Sequence, residues 1–375
     1  MTAADLILWL TVTTGAVWVA VALALMTGLG RHRSTSTDMK PTVSVIIAAR
    51  NEENNIGNCL QALSAQDYPA ELREIVVIDD NSTDRTKEIA EGYLTRIPGL
   101  RIIDAGAPLK GVAPKKSALI KGIGESSGDV IITTDADCSP PPGWITEMAG
   151  LFEPDVEAVV GFSPLEGKGL TGALVNFDSL VNAVVSAGSL GLGVAGSAVG
   201  RNFAYRRKAW LDAGGFGSGA AAASGDDDLL LQRIAANGGR ILFATDPASF
   251  VPATGKKSPV EWWRMKRRHF SAGRRYKPGL IVLGTLLYLF NPALIAMTVC
   301  VICGEIKPCW LIISIWGLKI SVDGLALARG ADLFKVYNWK IPWLVAELIS
   351  PFILTVLLPA SMVGRIGWKG RLLKT

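Results

Sequence analysis

Asp129-Val-Ile-Ile-Thr-Thr-Asp-Ala-Asp137 is the stretch on which the fold turns. A short, uninterrupted apolar run rich in β-branched residues is the pattern of a strand buried on both faces, as in a parallel sheet. It closes with two carboxylates one residue apart. Working outward, Val43-Ser-Val-Ile-Ile-Ala-Ala49 and Glu74-Ile-Val-Val-Ile-Asp79 have the same character, and Leu100-Arg-Ile-Ile-Asp104 is a third such run. Between the runs, residues 56–65 are helical by the spacing of Ile56, Leu60 and Leu63. The cluster Asn81-Ser-Thr-Asp84 is a cap for a helix through Tyr93, and residues 116–123 read as another helix. This alternation predicts an α/β domain with a doubly wound parallel sheet. Ligands of such sheets bind outside the strand carboxyl ends. Those ends are acidic here: Glu52 and Glu53, Asp79 and Asp80, then Asp135 and Asp137. Three acidic strand ends repel one another unless a cation or the donors of a ligand sit among them.

The chain has 375 residues, with 38 Lys and Arg against 33 Asp and Glu, a net charge of +5. Hydrophobic residues make up 49% and charged ones 19%, against roughly 25% charged in an average soluble domain. The mean hydropathy is +0.33. These values exclude a disordered chain, and five cysteines in this length exclude a small disulfide-stapled fold. The apolar excess is concentrated. Residues 6–30 carry no charge and are long enough to cross a hydrocarbon core of about 30 Å. No Lys or Arg precedes them, and Arg31 and Arg33 follow. A retained anchor therefore fits better than a cleaved signal peptide, with residue 31 onward in the cytoplasm. Residues 278–304 are a second uncharged span. Residues 309–328 are apolar around Lys319 and Asp323, which share a helix face at i, i+4. Residues 341–364 are apolar except for Glu347 and contain Pro342, Pro351 and Pro359, so they read as a span, a kinked span or a re-entrant element. Three C-terminal crossings would leave Arg365, Lys369, Arg371 and Lys374 outside, against the positive-inside rule. One of the last two segments is therefore expected not to cross fully. The resulting divisions are 1–38 (anchor), 39–255 (catalytic domain), 256–277 (basic junction) and 278–375 (C-terminal membrane region).

Asp135-x-Asp137 is a compact pair of hard oxygen ligands, suited to Mg²⁺ or Mn²⁺ on a substrate diphosphate or, alternatively, two solvated loop carboxylates. Ser224-Gly-Asp-Asp-Asp-Leu229 precedes an apolar helix. Its carboxylates read either as charges favoured at a helix N-terminus or as a general base whose pKa is raised by the other acids. Residues 256–277 hold nine Lys or Arg and one Glu, with Trp262, Trp263, Phe270 and Tyr276 interleaved. An interfacial helix on anionic lipid and a cationic clamp on a leaving diphosphate both fit, and can coexist. A nucleic-acid patch is disfavoured by the adjoining membrane segment. With only His32 and His269 in the chain, the cysteines read as small buried hydrophobes rather than zinc ligands. The glycine-rich tract 188–200 reads as a mobile loop or as small-residue packing.

Taken in order, these motifs resemble the membrane-anchored bacterial branch of the family 2 glycosyltransferases, over about residues 41–276. That resemblance implies the GT-A fold, a Rossmann-like domain, here between N-terminal and C-terminal transmembrane helices. Ala49-Arg-Asn-Glu-Glu53 is similar to the first-strand motif that contacts the nucleotide, which implicates Arg50 and Glu52. Asp79-Asp80-Asn-Ser-Thr-Asp84 is similar to the motif whose Asp holds the base. Lys116-Ser-Ala-Leu119 resembles the segment whose Lys approaches the nucleotide or diphosphate. Asp135-Ala-Asp137 matches the D-x-D motif for metal and diphosphate. Gly200-Arg-Asn-Phe-Ala-Tyr-Arg-Arg207 resembles the acceptor-side wall, with Asn202 and Arg206 implicated. The family's Glu-Asp at the base is Gly225-Asp226 here, so Asp226 is the expected base, with Asp227 the alternative. The Q-x-x-R-W motif of processive members is replaced by Lys266, His269 and Phe270. Lys266, Arg267 and His269 are expected on the leaving-group or acceptor side. The resemblance implies metal-dependent, inverting transfer from a nucleotide-sugar. Tethering at both ends to the bacterial inner membrane favours a lipid acceptor such as a glycerolipid, sphingolipid, polyprenyl carrier or carotenoid-type alcohol. A processive polysaccharide synthase and a non-catalytic membrane scaffold are the alternatives.

Overall fold

The computed structural model describes residues 2–32, 37, 39–222, 224–256, 258–307, 309–363, 365–368 and 371–374. Arg33 and Lys369 of the charge argument, and Lys257 of the basic junction, lie outside the described residues. Helix α1 (Ala3–Leu29) is the first apolar run, opened by a capping box between Thr2 and Asp5. The chain then builds β1 (Val43–Ala49), α2 (Ile56–Ser64), β2 (Arg73–Asp79), α3 (Thr86–Glu91), β3 (Leu100–Asp104), α4 (Pro114–Glu125), β4 (Val130–Thr134) and α5 (Trp144–Gly150). The four strands coincide with the four apolar runs, those of β1, β2 and β4 because both faces are largely covered, while β3 is the edge strand with Arg101 and Asp104 exposed. Val45, Ile46 and Ile47 have no solvent exposure, and each such side chain contributes ~1.5–3 kcal/mol of burial. Helix α3 starts later than its motif suggests. The carboxylate of Asp84 accepts from the Thr86 N–H at 3.0 Å, just inside the helix rather than before it.

The second half continues with β5 (Val156–Gly161), β6 (Leu165–Glu166), α6 (Gly169–Gly191), β7 (Phe203–Arg206), α7 (Arg207–Asp212), α8 (Asp228–Ala236), β8 (Arg240–Ala244), β9 (Ala253–Thr254) and α9 (Pro259–Ala272). The main sheet has the order β3-β2-β1-β4-β7-β5-β8. It is not wholly parallel, as the alternation of elements implies, because β7 runs antiparallel to both β4 and β5. The chain leaves β5 at its carboxyl end, makes the excursion of α6, and re-enters at the carboxyl end of β4, where the Thr133 hydroxyl donates to the Gly200 carbonyl at 2.7 Å. With no helix carrying it back across the sheet, β7 has to run the other way.

Helices α10 (Pro278–Ile302), α11 (Trp310–Leu333) and α12 (Lys340–Met362) follow, with a terminal hairpin of β10 (Arg365–Trp368) and β11 (Arg371–Lys374). Together with α1 and α6, five helices among the described residues are long and apolar enough to cross a membrane. Several polar groups inside them are partnered, while Asn291 Oδ1 and the Trp343 indole nitrogen are buried without a partner among the described residues. Pro292 in α10 cannot donate to the Tyr288 carbonyl, and the Asn291 amide supplies a donor there at 3.4 Å. The Lys319–Asp323 pair forms at 2.9 Å, and Glu347 of α12 joins it from the other side. The Trp18 indole of α1 donates to Asp323 at 2.7 Å.

Helix α6 belongs to the catalytic half of the chain, yet it packs against α1, α11 and α12. The glycine-rich tract begins in its last turns and is small-residue packing there. A Cβ on Gly28 would lie 1.9 Å from the Gly188 carbonyl oxygen, and one on Gly191 would lie 2.0 Å from that of Gly28. Backbone meets backbone at this seam. Gly28→Leu is therefore expected to lower the thermal midpoint of the detergent-solubilised protein by an overpacking cost of at least ~1–3 kcal/mol. Gly284→Leu is its control, since a Cβ there meets nothing within 4 Å and should leave the midpoint unchanged.

Candidate active site

The loops after β1 and β2 are tied to each other before any ligand arrives. Asn51 and Asn81 adopt left-handed backbone, with φ of 50° and 57°, a conformation Asn tolerates better than most residues. The Asn51 N–H donates to the Ser82 hydroxyl at 3.1 Å, and the Thr83 N–H donates to the Asn51 side chain at 2.9 Å. The Glu52 N–H donates to the Thr86 hydroxyl at 2.7 Å. Arg50 donates to the Asp80 and Asn81 carbonyls, at 2.5 and 2.8 Å. At the end of β2, Asp79 and Asp80 are both buried. Asp79 Oδ2 accepts from the Ser82 N–H at 3.2 Å, while its Oδ1 is buried without a partner among the described residues.

A cleft of about 320 Å³ opens beside these loops. Arg50, Lys115, Lys256 and Arg268 line it as cations, and Glu52, Asp135, Asp137 and Glu261 as carboxylates. The repulsion expected between acidic strand ends is thus partly relieved by the protein's own cations. Lys115 is central. Its ammonium lies 3.0 Å from Asp135, after β4, and 3.0 Å from Asp226, before α8. Burial alone would depress the Lys115 pKa, but the two carboxylates push it well above its ordinary value. Burial would likewise raise Asp135 and Asp226. Lys115 instead holds both below the usual carboxylate range, with help from Lys116 at Asp226. Asp137 has Lys256 4.0 Å away and feels the charge of Arg201. Burial, followed by the charges of Asp135 and Glu52, pushes its pKa up.

The three consecutive Asp residues have three different surroundings. Asp226 faces Lys115. Asp227 is the N-cap of α8, accepting from the Asp228 N–H at 2.8 Å and from the Gly200 N–H at 2.8 Å. Asp228 accepts from the Ser197 hydroxyl at 3.0 Å, the Ala198 N–H at 2.7 Å and the Tyr276 hydroxyl. Asp227 and Asp228 therefore tie α8 to the segments entering β7 and following α9.

Several expected site residues point elsewhere. Lys116 is 2% exposed. Its ammonium donates to the Gly219 and Ser224 carbonyls at 2.7 and 2.8 Å, bracing the loop before Asp226. Asn202 is fully buried, accepting from the Trp144 indole and donating to the Phe162 and Ser249 carbonyls. Arg206 lies at the amino end of β4, opposite Val130, where it donates to the Val156 and Glu153 carbonyls at 2.8 Å. Lys266 pairs with Asp178 of α6 at 2.6 Å. Arg267 donates to the Ala360 and Val363 carbonyls at the end of α12. His269 is held neutral, first by burial and then by the charges of Arg268, Lys266 and Arg201.

Two residues one position away, Lys115 and Arg268, line the cleft instead, and a third, Arg201, acts on it by charge. Arg201 donates to the Ser163 hydroxyl at 2.6 Å, and its charge acts on Asp135 and Asp137. A signal exists for Arg268. Glu261 and Arg268 are seven residues apart, two helical turns, so both fall on the cleft-facing side of α9 while Met265 and Lys266 turn inward.

Residues 44–209 match the family model described as Glycosyl transferase family 2. The chain is 31% identical over 277 residues to Probable glycosyltransferase YdaM of Bacillus subtilis, across 69% of this chain and 64% of that protein. It is 35% identical over 117 residues to beta-monoglucosyldiacylglycerol synthase of Synechocystis sp., across 31% of this chain and 24% of that protein. The chain thus spans less than two thirds of the length of either relative. Among solved structures, mannosyltransferase PcManGT from Pyrobaculum calidifontis, in complex with GDP-Man and Mn2+, shares the fold. Its TM-score is 0.60 at 19% identity, over 92% of this chain and 99% of that one.

Two outcomes follow from the buried contacts. Lys116→Met leaves the Gly219 and Ser224 carbonyls without their donor, and should lower stability by about 1–3 kcal/mol, read as a thermal midpoint. Asp227 is pushed up to about 7 by burial and then by the charges of Asp228 and Asp226, although two N–H donors favour its charged form. Its unfolded value is about 3.9. Between these pH values the folded chain binds more protons than the unfolded one, so this group's contribution to stability declines as pH rises and is gone above about 7. Asp227→Asn keeps the cap and removes that decline. Its thermal midpoint should fall less than that of the unaltered chain between pH 5 and pH 8.

Proposed function

The chain belongs to glycosyl transferase family 2, and from that premise we propose that it moves a sugar from a nucleotide-sugar to a hydroxyl of a membrane lipid, with inversion at the anomeric carbon. The observation that carries this reading is the Lys115 ammonium, 3.0 Å from Asp135 and 3.0 Å from Asp226. One side chain links the carboxylate on the diphosphate side to the carboxylate on the acceptor side.

Asp135 and Asp137 are the residues to hold Mg²⁺ or Mn²⁺. They fit it electrostatically: burial and then the charge of Asp135 raise Asp137, and a divalent cation there would favour its ionised form. Among the described residues no group of three or more His, Cys, Asp or Glu forms a metal cage. The other ligands are then diphosphate oxygens and water, the ordinary arrangement for Mg²⁺. Bound there, the metal neutralises charge on the departing diphosphate. Arg268, Lys256 and Arg201 add positive charge around the same group. Arg50, Glu52, Asp79 and Asp80 flank the nucleoside end, and the unpartnered Asp79 Oδ1 is an acceptor available to a base N–H. Asp226 receives the proton of the acceptor hydroxyl as that oxygen attacks. Lys115 and Lys116 keep Asp226 ionised throughout the neutral range.

The bilayer reading places α1, α10 and α11 across the inner membrane and the catalytic domain on its cytoplasmic face. That arrangement keeps the divisions at 38, 255 and 277. A lipid acceptor accords with this tethering and with the diacylglycerol product in one relative's name.

Asp226→Asn should reduce transfer by roughly 10²–10⁴-fold, the usual weight of a general base. The readout is radiolabelled sugar in extracted lipid, alongside calorimetric binding of the nucleotide-sugar with Mn²⁺. Binding should persist in the variant and vanish with chelator in the unaltered chain. Loss of donor binding in Asp226→Asn would sink the base assignment, and chelator-resistant binding would sink the metal assignment.

A further inference from the structure

The last apolar segment is long enough to cross the membrane: α12 has 23 residues, or about 35 Å at 1.5 Å per residue. Length therefore does not decide its path, but its contacts do. At its start, Trp339 is buried in the same cluster as Phe334, whose ring stacks within 4.8 Å of Phe162 and 5.6 Å of Phe243 in the catalytic domain. The helix then descends alongside α11: the Trp343 ring lies on Gly324, and Glu347 pairs with Lys319. An antiparallel crossing would continue past the beginning of α11. Instead α12 leaves α11 and returns. The Tyr288 hydroxyl of α10 donates to the Thr355 carbonyl at 3.1 Å, ten residues from the catalytic end of α10. The carbonyls of Ala360 and Val363 accept from Arg267 of α9, at 3.0 and 2.9 Å. The hairpin strand β10 then packs on α9.

The far side of the helical bundle is marked independently. Ile306, in the α10–α11 turn, is buried with Met297 and Ile312 against Ala4, Ile7 and Leu8 of α1, and no residue of α12 belongs to that cluster.

We infer that α12 is a re-entrant helix, inserted into the leaflet on the catalytic side and returning to it. Its chemistry suits that path. Pro359 cannot donate to the Thr355 carbonyl, which is the group that Tyr288 satisfies. The final carbonyls of α12, costly if bare in hydrocarbon, are capped by the Arg267 guanidinium. Ile341, Leu344, Leu348, Phe352 and Val356 form an exposed stripe at spacings of three and four. The occupant of this stripe is the acyl region of that leaflet. The chain around Arg365 then returns to the cytoplasmic side, as the positive-inside rule favours. The bundle has three full crossings, by α1, α10 and α11.

This inference rests on the proposed crossing of α10 and α11, and the test separates the two. The full chain is labelled with a membrane-impermeant maleimide in spheroplasts and in inside-out vesicles. Three reporters are used: native Cys303 and Cys309, both exposed; Lys110→Cys in the catalytic domain; and Val363→Cys. The last two are made with Cys300, Cys303 and Cys309 changed to Ala. Lys110→Cys and Val363→Cys should label from one side, and the native pair from the other. Labelling of Val363→Cys from the side of the native pair would overturn the re-entrant path while leaving the crossings intact. Labelling of the native pair from the side of Lys110→Cys would overturn the crossings, and the re-entrant path with them.

Discussion

An ammonium group set between two carboxylates governs the catalytic half of this protein. Lys115 stands 3.0 Å from Asp135 and from Asp226, joining the end of β4 to the residue that precedes α8. Carboxylates collected at the ends of neighbouring strands raise one another's pKa and push the loops apart. A cation between them reverses both effects. Around this bridge the remaining polar groups are arranged so that little is free to wander. Asp227 and Asp228 hold the start of α8, and Lys116 braces the loop that delivers Asp226. The β1 and β2 loops are laced together through Asn51 and Glu52. Asp137, by contrast, is raised by burial and then by the charge of Asp135.

The second organising contact lies where this domain meets the bundle. Gly28 and Gly188 let α1 and α6 approach to backbone contact. In hydrocarbon, where apolar burial between helices supplies little driving force, such close packing and interior hydrogen bonds are what hold helices together. The network of Trp18, Lys319, Asp323 and Glu347 supplies the hydrogen bonds. Helix α6 is thus shared by both halves. Through it, the position of the sheet is coupled to the apolar helices of the bundle.

Much of the architecture is legible from residue patterns alone. The apolar runs of β1, β2 and β4 name their strands because burial on both faces favours apolar side chains. The acidic strand ends of β1 and β4 lie at the cleft. Lys319 and Asp323 announce their pairing by spacing. The errors share one cause. Lys116, Asn202, Arg206 and Arg267 are each polar residues in or beside a promising motif, and each is spent on buried carbonyls. A sequence shows that a cation is present but not whether an unsatisfied carbonyl waits for it. Lys115 and Arg268 line the cleft in their place. The antiparallel course of β7 was hidden for a similar reason: four residues carry no directional signal, and the excursion of α6 decides it.

Taken by itself, the amino-acid sequence determined the alternation of strands and helices, the sheet edge at which the carboxylates gather, the family, and which stretches are apolar enough for a bilayer. These follow from local composition and period, which act within a few residues of one another. Only the tertiary structure decided which of two adjacent side chains faces the cleft, which of three consecutive Asp residues meets a lysine, and where α12 ends. Those outcomes depend on groups far apart in the chain, such as Arg267 with Ala360 or Lys115 with Asp226. Contacts of that kind form only once the packing of whole elements has brought their partners within hydrogen-bond reach.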